Sequence, residues 1–401
     1  MSKQQGSRGR AGSKRLSRRD FLATSAGAAA AAAGGLGALA GGCASAREPA
    51  RKAASAADLA KAGSAQGAAT GPLAKRTLGR TGLKVTVFSM GTIGGVTDVL
   101  KSGLDRGINF VHCALGYGTL DRVAEAIAGR RDKLFLGLKY ERAGTPDWDY
   151  LDRALGALKV DHVDILFFPL NSPDEARNRS HLEFFQQVKQ RKRARFIGIT
   201  SHANVAPTIQ AAVGAGFWDV LMPSYVSAPQ ERAALRPVLD QAEKKNLGVV
   251  AMKTMAGMNP QALDPMRAVV KQVLADSSVT TLCKGMLTFE YLDAFFGAAV
   301  GAPTKAQTAA LEQHLAACAD TCVMCGACPA CPRGVNVFEV IRAFDYYYAQ
   351  AGHPRIARSM YDAIPAAARG SACDDCGECA LGCPYGVNIA RHVRAADLVL
   401  A

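Results

Sequence analysis

The chain has 401 residues, of which 49% are hydrophobic, so it is long enough for one large and one small domain. Its formal net charge is +14, but residues 1–22 alone hold seven basic side chains against one acidic side chain. A large part of the excess charge therefore lies in a removable N-terminal segment, which argues against a nucleic-acid-binding protein. Once the whole N-terminal leader is set aside, no apolar run is long and hydrophobic enough for a permanent membrane span.

The N-terminus has the features of a twin-arginine export signal. Arg18 and Arg19 are followed by Phe21 and Leu22 and then by a mildly apolar Ala/Gly run over 23–42. This route exports proteins that are already folded, so metal clusters could be inserted in the cytoplasm first. We therefore expect a periplasmic protein; a basic disordered tail is the alternative.

Processing of the leader has two candidate sites. Cys43 follows an imperfect lipobox and would become a lipid anchor, whereas Ala44-Ser45-Ala46 offers an ordinary cleavage site. We predict a signal peptide over 1–46, with membrane contact only through an anchor at Cys43. Residues 47–74 are rich in small and charged side chains and cannot bury a core, so they are predicted to form a disordered linker.

From Lys75 onward, short β-branched or apolar runs alternate eight times with segments of helical spacing. The predicted strands are Val85–Met90, Asn109–Cys113, Lys133–Lys139, Val163–Phe168, Arg195–Thr200, Asp219–Met222, Gly248–Met252 and Val279–Cys283. The clearest predicted helices are Asp147–Lys159, Glu183–Arg193 and Gln230–Lys245. Eight βα units predict an α/β fold, a (β/α)8 TIM barrel over 75–300, with the active site at the C-terminal ends of its strands.

Eight cysteines near the C-terminus form two runs, each of which ends in Cys-Pro. The second run has the C-x2-C-x2-C-x3-C-P spacing of bacterial two-cluster ferredoxins, and the first is one residue shorter. This spacing predicts two [4Fe–4S] clusters as cofactors. The ligands would be Cys322, Cys325, Cys328 and Cys331 of the first run and Cys373, Cys376, Cys379 and Cys383 of the second.

In two-cluster ferredoxins the fourth cysteine of each run binds the other cluster. One predicted set is therefore Cys322, Cys325, Cys328 and Cys383, and the other is Cys373, Cys376, Cys379 and Cys331. Helical spacing at Val337–Tyr348 and Arg355–Ile364 predicts a small α-helical ferredoxin-like domain over 301–401. Zinc and disulfides are the alternatives, although four cysteines in ten residues suit neither zinc knuckles nor bridges.

Several motifs occur together in the chain beyond Lys75, namely Arg76–Leu83, Gly107–Phe110 with Tyr117-Gly118, Phe196–His202 and the two cysteine runs. By these motifs, the chain resembles, from about Lys75 to its end, the branch of the aldo-keto reductases that carries a C-terminal ferredoxin-like domain. The resemblance implies that an Asp, a Tyr, a Lys and a His act on a substrate carbonyl while NADPH supplies hydride. Tyr117 and Lys139 match the Tyr, which donates the proton, and the Lys, which lowers its pKa.

Half of that tetrad is replaced in this chain. His112 stands at the Asp position and Pro169 at the His position. Without a carboxylate, Lys139 is expected to lose its counter-ion, and a protonated His112 would lower the pKa of this lysine. His202, at another strand end, either orients the carbonyl instead or packs as an ordinary loop histidine.

The positions that bind the nicotinamide cofactor in that family are altered as well. The resemblance implies that Tyr225 stacks on the nicotinamide ring, and Lys284 is a candidate for a phosphate contact. Other expected contacts are replaced by Met222, Ser201, Tyr291 and Phe295. Binding of NAD(P)H is therefore possible but is not required by the sequence.

These observations favour an exported iron–sulfur oxidoreductase, in which the two clusters pass electrons and the barrel is a modified catalytic or docking module. The expected partners are a redox protein or a small-molecule electron carrier, with a carbonyl-type small molecule as substrate. Two alternatives stay open. One is an active NAD(P)H-dependent carbonyl reductase with a rearranged acid–base set, and the other is a binding or scaffold protein whose clusters are structural.

Overall fold

A computed structural model describes residues 73–141, 147–258, 262–299, 301–317, 320–379 and 382–401. The predicted signal peptide, the lipid-anchor candidate Cys43 and nearly all of the predicted linker lie outside these residues. No helix in the described ranges is long and apolar enough to cross a membrane.

Two short strands precede the barrel. β1 (Lys75–Thr77) pairs antiparallel with β2 (Lys84–Thr86). The turn between them needs a glycine, because Gly79 has a φ of +49° and a Cβ atom there would lie 2.3 Å from the backbone nitrogen of Gly248. The predicted strand Val85–Met90 is therefore wrong as a single strand, since its first residues belong to this hairpin and only its end enters the barrel.

Eight parallel strands close into a barrel in the order β10-β3-β4-β5-β6-β7-β8-β9. They are β3 (Phe88–Gly91), β4 (Phe110–Ala114), β5 (Phe135–Lys139), β6 (Val163–Pro169), β7 (Ala194–Ser201), β8 (Val220–Pro223), β9 (Gly248–Ala251) and β10 (Thr281–Gly285). The (β/α)8 barrel is thereby confirmed. Apart from the first strand, the predicted ends agree to within about two residues, which is the usual uncertainty of an element boundary.

The helices of the barrel lie outside the strands. They are α1 (Thr97–Asp105), α2 (Leu120–Ile127), α3 (Trp148–Leu158), α4 (Pro173–Arg177), α5 (Ser180–Gln190), α6 (Val205–Ala215), α7 (Pro229–Lys244), α8 (Leu263–Ala275), α9 (Phe289–Ala298) and α10 (Lys305–Ala317). Helix α10 packs against α8, and its Leu311 belongs to the core shared by the strands and helices. Because of this packing, α10 belongs to the barrel. The helical tail therefore begins later than residue 301, which was its predicted first residue.

Side chains from alternate strand positions fill the interior of the barrel. Phe110, Phe167 and Val220 point inward, whereas neighbouring residues such as Leu166 and Leu221 belong to the layer between strands and helices. These two layers bury both faces of the barrel strands, which explains why those strands are apolar runs rather than alternating ones.

The tail is a small helical domain. It contains α11 (Val337–Ile341), a π-helical segment over Arg342–Gln350, α12 (Pro354–Asp362) and α13 (Ile389–Leu400). Its core includes Val340, Phe344, Tyr361 and Val393. The predicted helices Val337–Tyr348 and Arg355–Ile364 are thus present, whereas α13 was not predicted.

The tail packs against loops that follow the barrel strands, on the face where TIM-barrel active sites lie. Gln350 joins the two parts, because its Oε1 accepts a hydrogen bond from the Gly257 N–H at 2.9 Å and its Nε2 donates to the carbonyl of Cys322 at 3.0 Å. A Cβ atom on Gly326 would lie 2.7 Å from Cα of Ala203. The first cysteine run therefore lies directly on the barrel.

Candidate active site and cysteine cavity

Tyr117 and Lys139 lie side by side at the C-terminal ends of neighbouring strands. Lys139 is the last residue of β5, and Tyr117 closes a short 3-10 turn that follows β4 directly. The Lys139 Nζ atom is 4.8 Å from the centroid of the Tyr117 ring. The structure thus brings together the two tetrad positions that this chain retains.

Lys139 has a carboxylate partner in Glu141, whose Oε1 lies 3.0 Å from Nζ. The other carboxylate oxygen accepts hydrogen bonds from the Gly116 N–H at 2.7 Å and the Tyr150 hydroxyl at 3.1 Å. The expectation that Lys139 loses its counter-ion is therefore wrong. Glu141 was not identified from the sequence. It lies two residues after Lys139, and side chains two residues apart in an extended chain point to the same face.

The hydroxyl of Tyr117 is held in its protonated form. Burial raises the pKa of Tyr117 well above its usual value, and the nearby Glu141 carboxylate raises it further. The resemblance implied that Lys139 lowers this pKa, but burial and Glu141 dominate here. Tyr117 therefore keeps its proton at neutral pH, and its hydroxyl can donate a hydrogen bond.

His112 and His202 are both buried beside this pair. Burial lowers the pKa of His112 to about 3, with Lys139 contributing, and burial lowers the pKa of His202 well below its usual value. His112 is therefore uncharged at neutral pH and does not act on Lys139 as a cation. In the described structure, Nε2 of His112 and Nδ1 of His202 have no hydrogen-bond partner, so each offers an unpaired ring nitrogen.

Tyr225 lies apart from these residues. Its hydroxyl donates to Oδ2 of Asp276 at 2.7 Å, and the Arg232 guanidinium lies 5.2 Å from its ring centroid. The ring belongs to the core between strands and helices rather than to the barrel interior. This placement argues against the predicted stacking of Tyr225 on a nicotinamide ring.

Lys284, in contrast, lies at the C-terminal ends of the barrel strands, which form the mouth of the barrel. It is the penultimate residue of β10, and its Nζ atom is 5.9 Å from the centroid of the Tyr291 ring. Burial lowers the pKa of Lys284 to about 8. The lysine is thus placed where an anionic group entering the mouth could meet it.

Sequence reasoning missed a second lysine of the mouth, Lys253, which follows β9 with a φ of +58°. Its Nζ atom lies 3.4 Å from the ring centroid of Tyr346 and 4.8 Å from that of Tyr347. Burial lowers the pKa of Lys253, and Arg342 is the next largest cause. The only feature of the sequence that indicated this contact was the aromatic run Tyr346–Tyr348.

Tyr346 and Tyr347 of the π-helical segment close the mouth from the tail side. They are only 9% and 3% exposed. Burial raises the pKa of both hydroxyls, and Tyr117 lies near enough to contribute in each case. The candidate active site is therefore built jointly by the barrel and the tail.

An open cleft of about 470 Å³ leads from the surface to Tyr117. The barrel contributes Gly94, Arg122 and the loop 116–119, and the tail contributes residues 352–356 and Ser359. A Cβ atom on Gly94 would lie 1.9 Å from Cε1 of His353, so the absence of a side chain allows α12 to approach the barrel.

The cysteines of the two runs lie in two groups. One small cavity is lined by Cys322, Cys325, Cys328 and Cys383, together with apolar residues that include Ile341, Val387 and Ile389. The pKa of the Cys328 thiol is raised by burial and by the nearby Cys325 and Cys383. This group contains three cysteines of the first run and the last cysteine of the second.

The second group has the reciprocal composition. The pKa of Cys379 is raised chiefly by burial, and the thiols that add to it are those of Cys373, Cys331 and Cys376. No set of three or more His, Cys, Asp or Glu residues in the described ranges could hold a single metal ion. A four-iron cluster is a larger group, and its thiolate ligands stand farther apart.

Solved structures of other proteins are similar to part of this chain. Among solved structures, PA4992 from Pseudomonas aeruginosa, assigned as an aldo-keto reductase, is 22% identical, with 56% of this chain and 93% of that chain covered and a TM-score of 0.48. The holo form of aldo-keto reductase AKR11C1 from Bacillus halodurans is 18% identical, with 61% and 96% covered and a TM-score of 0.49. No curated protein matches the chain.

The model of the "Aldo/keto reductase family" matches residues 95–311. This range begins just before α1 and ends within α10, so it includes β4 to β10 of the barrel together with Tyr117, Lys139 and Lys284. The match covers more than half of the chain. The chain therefore belongs to the aldo/keto reductase family, a family of oxidoreductases.

Proposed function

We propose that this chain is an iron–sulfur oxidoreductase that exchanges electrons between two [4Fe–4S] clusters in its tail and a small molecule bound beside Tyr117. The observation that carries the proposal is the grouping of the eight cysteines. Each group combines three cysteines of one run with the last cysteine of the other, as crossed cluster ligation requires.

The donor chemistry of both groups fits iron–sulfur clusters. Cys322, Cys325, Cys328 and Cys383 would hold one cluster, and Cys331, Cys373, Cys376 and Cys379 the other. All eight donors are thiols, which are the ligands of such clusters. When bound, each cluster can supply or accept one electron.

The two groups differ in their distance from the barrel. Gly326 of the first run packs on Ala203, next to His202, and a Cβ atom on Gly257 would lie 2.8 Å from Val323. Cys376 of the second group is exposed to solvent. We therefore assign the first group as the inner site, beside the barrel mouth, and the second as the outer site, where an electron carrier can approach.

The mouth can handle the protons of such a reaction. Reduction of a carbonyl to an alcohol consumes two electrons and two protons. Tyr117 holds a proton on its hydroxyl, and Glu141 fixes Lys139 beside its ring. Tyr117 would protonate the carbonyl oxygen, and the second proton would come from water in the adjoining cleft.

Electrons from an external carrier suit this mouth better than a bound nicotinamide. Tyr225, the residue expected to stack on a nicotinamide ring, is bonded to Asp276 and belongs to the core between strands and helices. Together with the predicted export signal, this favours a periplasmic protein, anchored at Cys43 if the predicted lipobox is used. The electron partner would be a redox protein or a small-molecule carrier of that compartment.

A reoxidation experiment tests the proposal. Anaerobic holoprotein is reduced with dithionite, freed of excess reductant and mixed with a panel of carbonyl compounds while the cluster absorbance is followed. We expect at least one compound to reoxidise the clusters, Tyr117→Phe to slow this step, and NADPH to leave oxidised clusters unbleached. NADPH-driven carbonyl turnover that does not need the clusters would establish the reductase alternative instead.

A further inference from the structure

We infer that the barrel mouth is an anion-binding site, which takes a small molecule with a carboxylate or phosphate group beside its reactive carbonyl. The inference builds on the proposed function for the reaction itself, but the binding site is argued from charge and geometry alone. It assigns Lys253, Lys284 and Arg355 to substrate recognition.

Cations outnumber carboxylates in the mouth. Lys139 pairs with Glu141, and Arg342 pairs with Glu339. Lys253 and Lys284 have no carboxylate partner in the described part of the chain. Each is placed near tyrosine rings instead, and a ring face compensates a desolvated ammonium group only in part.

The cations of the mouth repel one another. The pKa of Lys253 is lowered by burial and then by Arg342, Lys139 and Lys284, and no carboxylate is among the larger influences. Like charges that share a partly buried space destabilise the charged forms of all members. A bound anion would remove this cost and stabilise the protonated lysines.

Two unpaired ring nitrogens also favour a ligand in the mouth. His112 and His202 are 4% and 5% exposed, and Nε2 of the first and Nδ1 of the second have no hydrogen-bond partner in the structure as described. Buried polar atoms of proteins are rarely left unpaired, because each costs free energy. The hydroxyl and carbonyl groups of a small polar ligand would satisfy ring nitrogens of this kind.

The cleft that leads to Tyr117 has the same charge bias. Its lining includes Arg122, Arg355 and His353, and none of its lining residues in the described chain is acidic. The pKa of His353 is lowered by burial and by Lys284 and Lys253, which places the inner lysines within electrostatic range of the cleft. A volume of about 470 Å³ suits a small ligand, and a cleft of one charge sign attracts ions of the opposite sign.

Calorimetry on the holoprotein tests the inference with three probes, namely pyruvate, its neutral methyl ester and inorganic phosphate. We expect pyruvate to bind about tenfold or more tightly than the ester, because the neutral ester cannot form an ion pair with the lysines. Phosphate binding without pyruvate binding would identify a phosphate-bearing substrate, and the reverse would identify a carboxylate-bearing one.

Two variants and one control locate the site. Lys253→Met keeps the length of the side chain, and Arg355→Gln removes an exposed charge of the cleft. Each should weaken binding of the charged probe about tenfold or more. Arg177→Gln serves as the matched control, because Arg177 is exposed on α4 and, within the described ranges, forms an ion pair only with the exposed Asp174; it should bind like the unmodified chain.

The inference is overturned if neither anion binds more tightly than the ester, or if Lys253→Met and Arg355→Gln both retain full affinity. Iron and sulfide are measured in the same samples. Full cluster content with no anion binding rejects the anion site alone, whereas anion binding by protein that never contains clusters rejects the proposed function alone.

Discussion

Glu141 holds the Nζ atom of Lys139 at 3.0 Å and, through its second oxygen, accepts the backbone N–H of Gly116, which is the residue before Tyr117. One carboxylate therefore fixes both Lys139 and the loop that carries Tyr117. It also contributes a negative charge that keeps the tyrosine protonated.

The first prediction concerns this charge. Glu141→Gln keeps an oxygen for the Gly116 N–H but removes the carboxylate, so the pKa of Tyr117 should fall. The measurement is the ultraviolet absorbance change of tyrosine ionisation, compared between Glu141→Gln and the double variant that also carries Tyr117→Phe. An unchanged titration of Tyr117 would mean that burial alone sets its pKa.

The second prediction concerns His112 and pH. Its pKa is near 6.5 when unfolded and about 3 when folded, so between these values the unfolded chain binds a proton that the folded chain does not. The free energy of unfolding should therefore fall as pH drops below 6.5, by up to about 1.4 kcal/mol per pH unit for this group, and stay unaffected above it.

His112→Gln removes this contribution, so its thermal stability should depend less steeply on pH between about 6.5 and 5 than that of the unmodified chain. Thermal unfolding under anaerobic conditions at several pH values measures the difference. Equal slopes for both proteins would show that His112 titrates alike in the folded and unfolded states.

A third prediction tests the crossed cysteine groups with double variants. Cys383→Ser should remove about half of the iron, and adding Cys322→Ser should remove little more, because both residues belong to one site. Adding Cys373→Ser should remove most of the rest. If Cys383 and Cys373 behave as members of one site, each run binds its own cluster and the crossed assignment fails.

The fourth prediction concerns the contact between barrel and tail. Tyr346→Ala removes the ring over Lys253 and leaves a cavity, so the free energy of unfolding should fall by about 3–5 kcal/mol. Tyr346→Phe keeps the ring face and is the matched control, with a loss of about 1 kcal/mol or less. Thermal or denaturant unfolding distinguishes the two; an alanine variant as stable as the phenylalanine variant would refute a structural role of the ring.

The fifth prediction concerns export. Replacing Arg18 and Arg19 together by lysine preserves their charge but removes the guanidinium pair of the signal. The precursor should accumulate in the cytoplasm, as measured by fractionation and immunoblotting. Export at an unchanged level would exclude the twin-arginine route.

The barrel could be predicted because buried parallel strands leave a direct trace, a short apolar run followed by a helical segment. The crossed assignment of the cysteines was predicted from the spacing of two-cluster ferredoxins, in which the last cysteine of each run binds the other cluster. The division of the first strand was missed because apolar composition does not reveal that residues 84–86 pair with Lys75–Thr77 before Phe88 enters the barrel.

The candidate site was predicted only in part, because much of it depends on contacts between distant segments. Tyr117 and Lys139 come from a family motif. Lys253 contacts the ring of Tyr346, a residue far from it along the chain, and no local pattern predicts that contact. The charge of His112 could not be predicted, because a sequence does not show how completely a histidine is buried.

Iron and acid-labile sulfide analysis of anaerobically purified protein tests the central claim most directly. Two four-iron clusters require about eight iron and eight sulfide per chain, and this is the result that the account predicts. Stoichiometric zinc without sulfide would contradict it, and the eight cysteines would then need a different explanation.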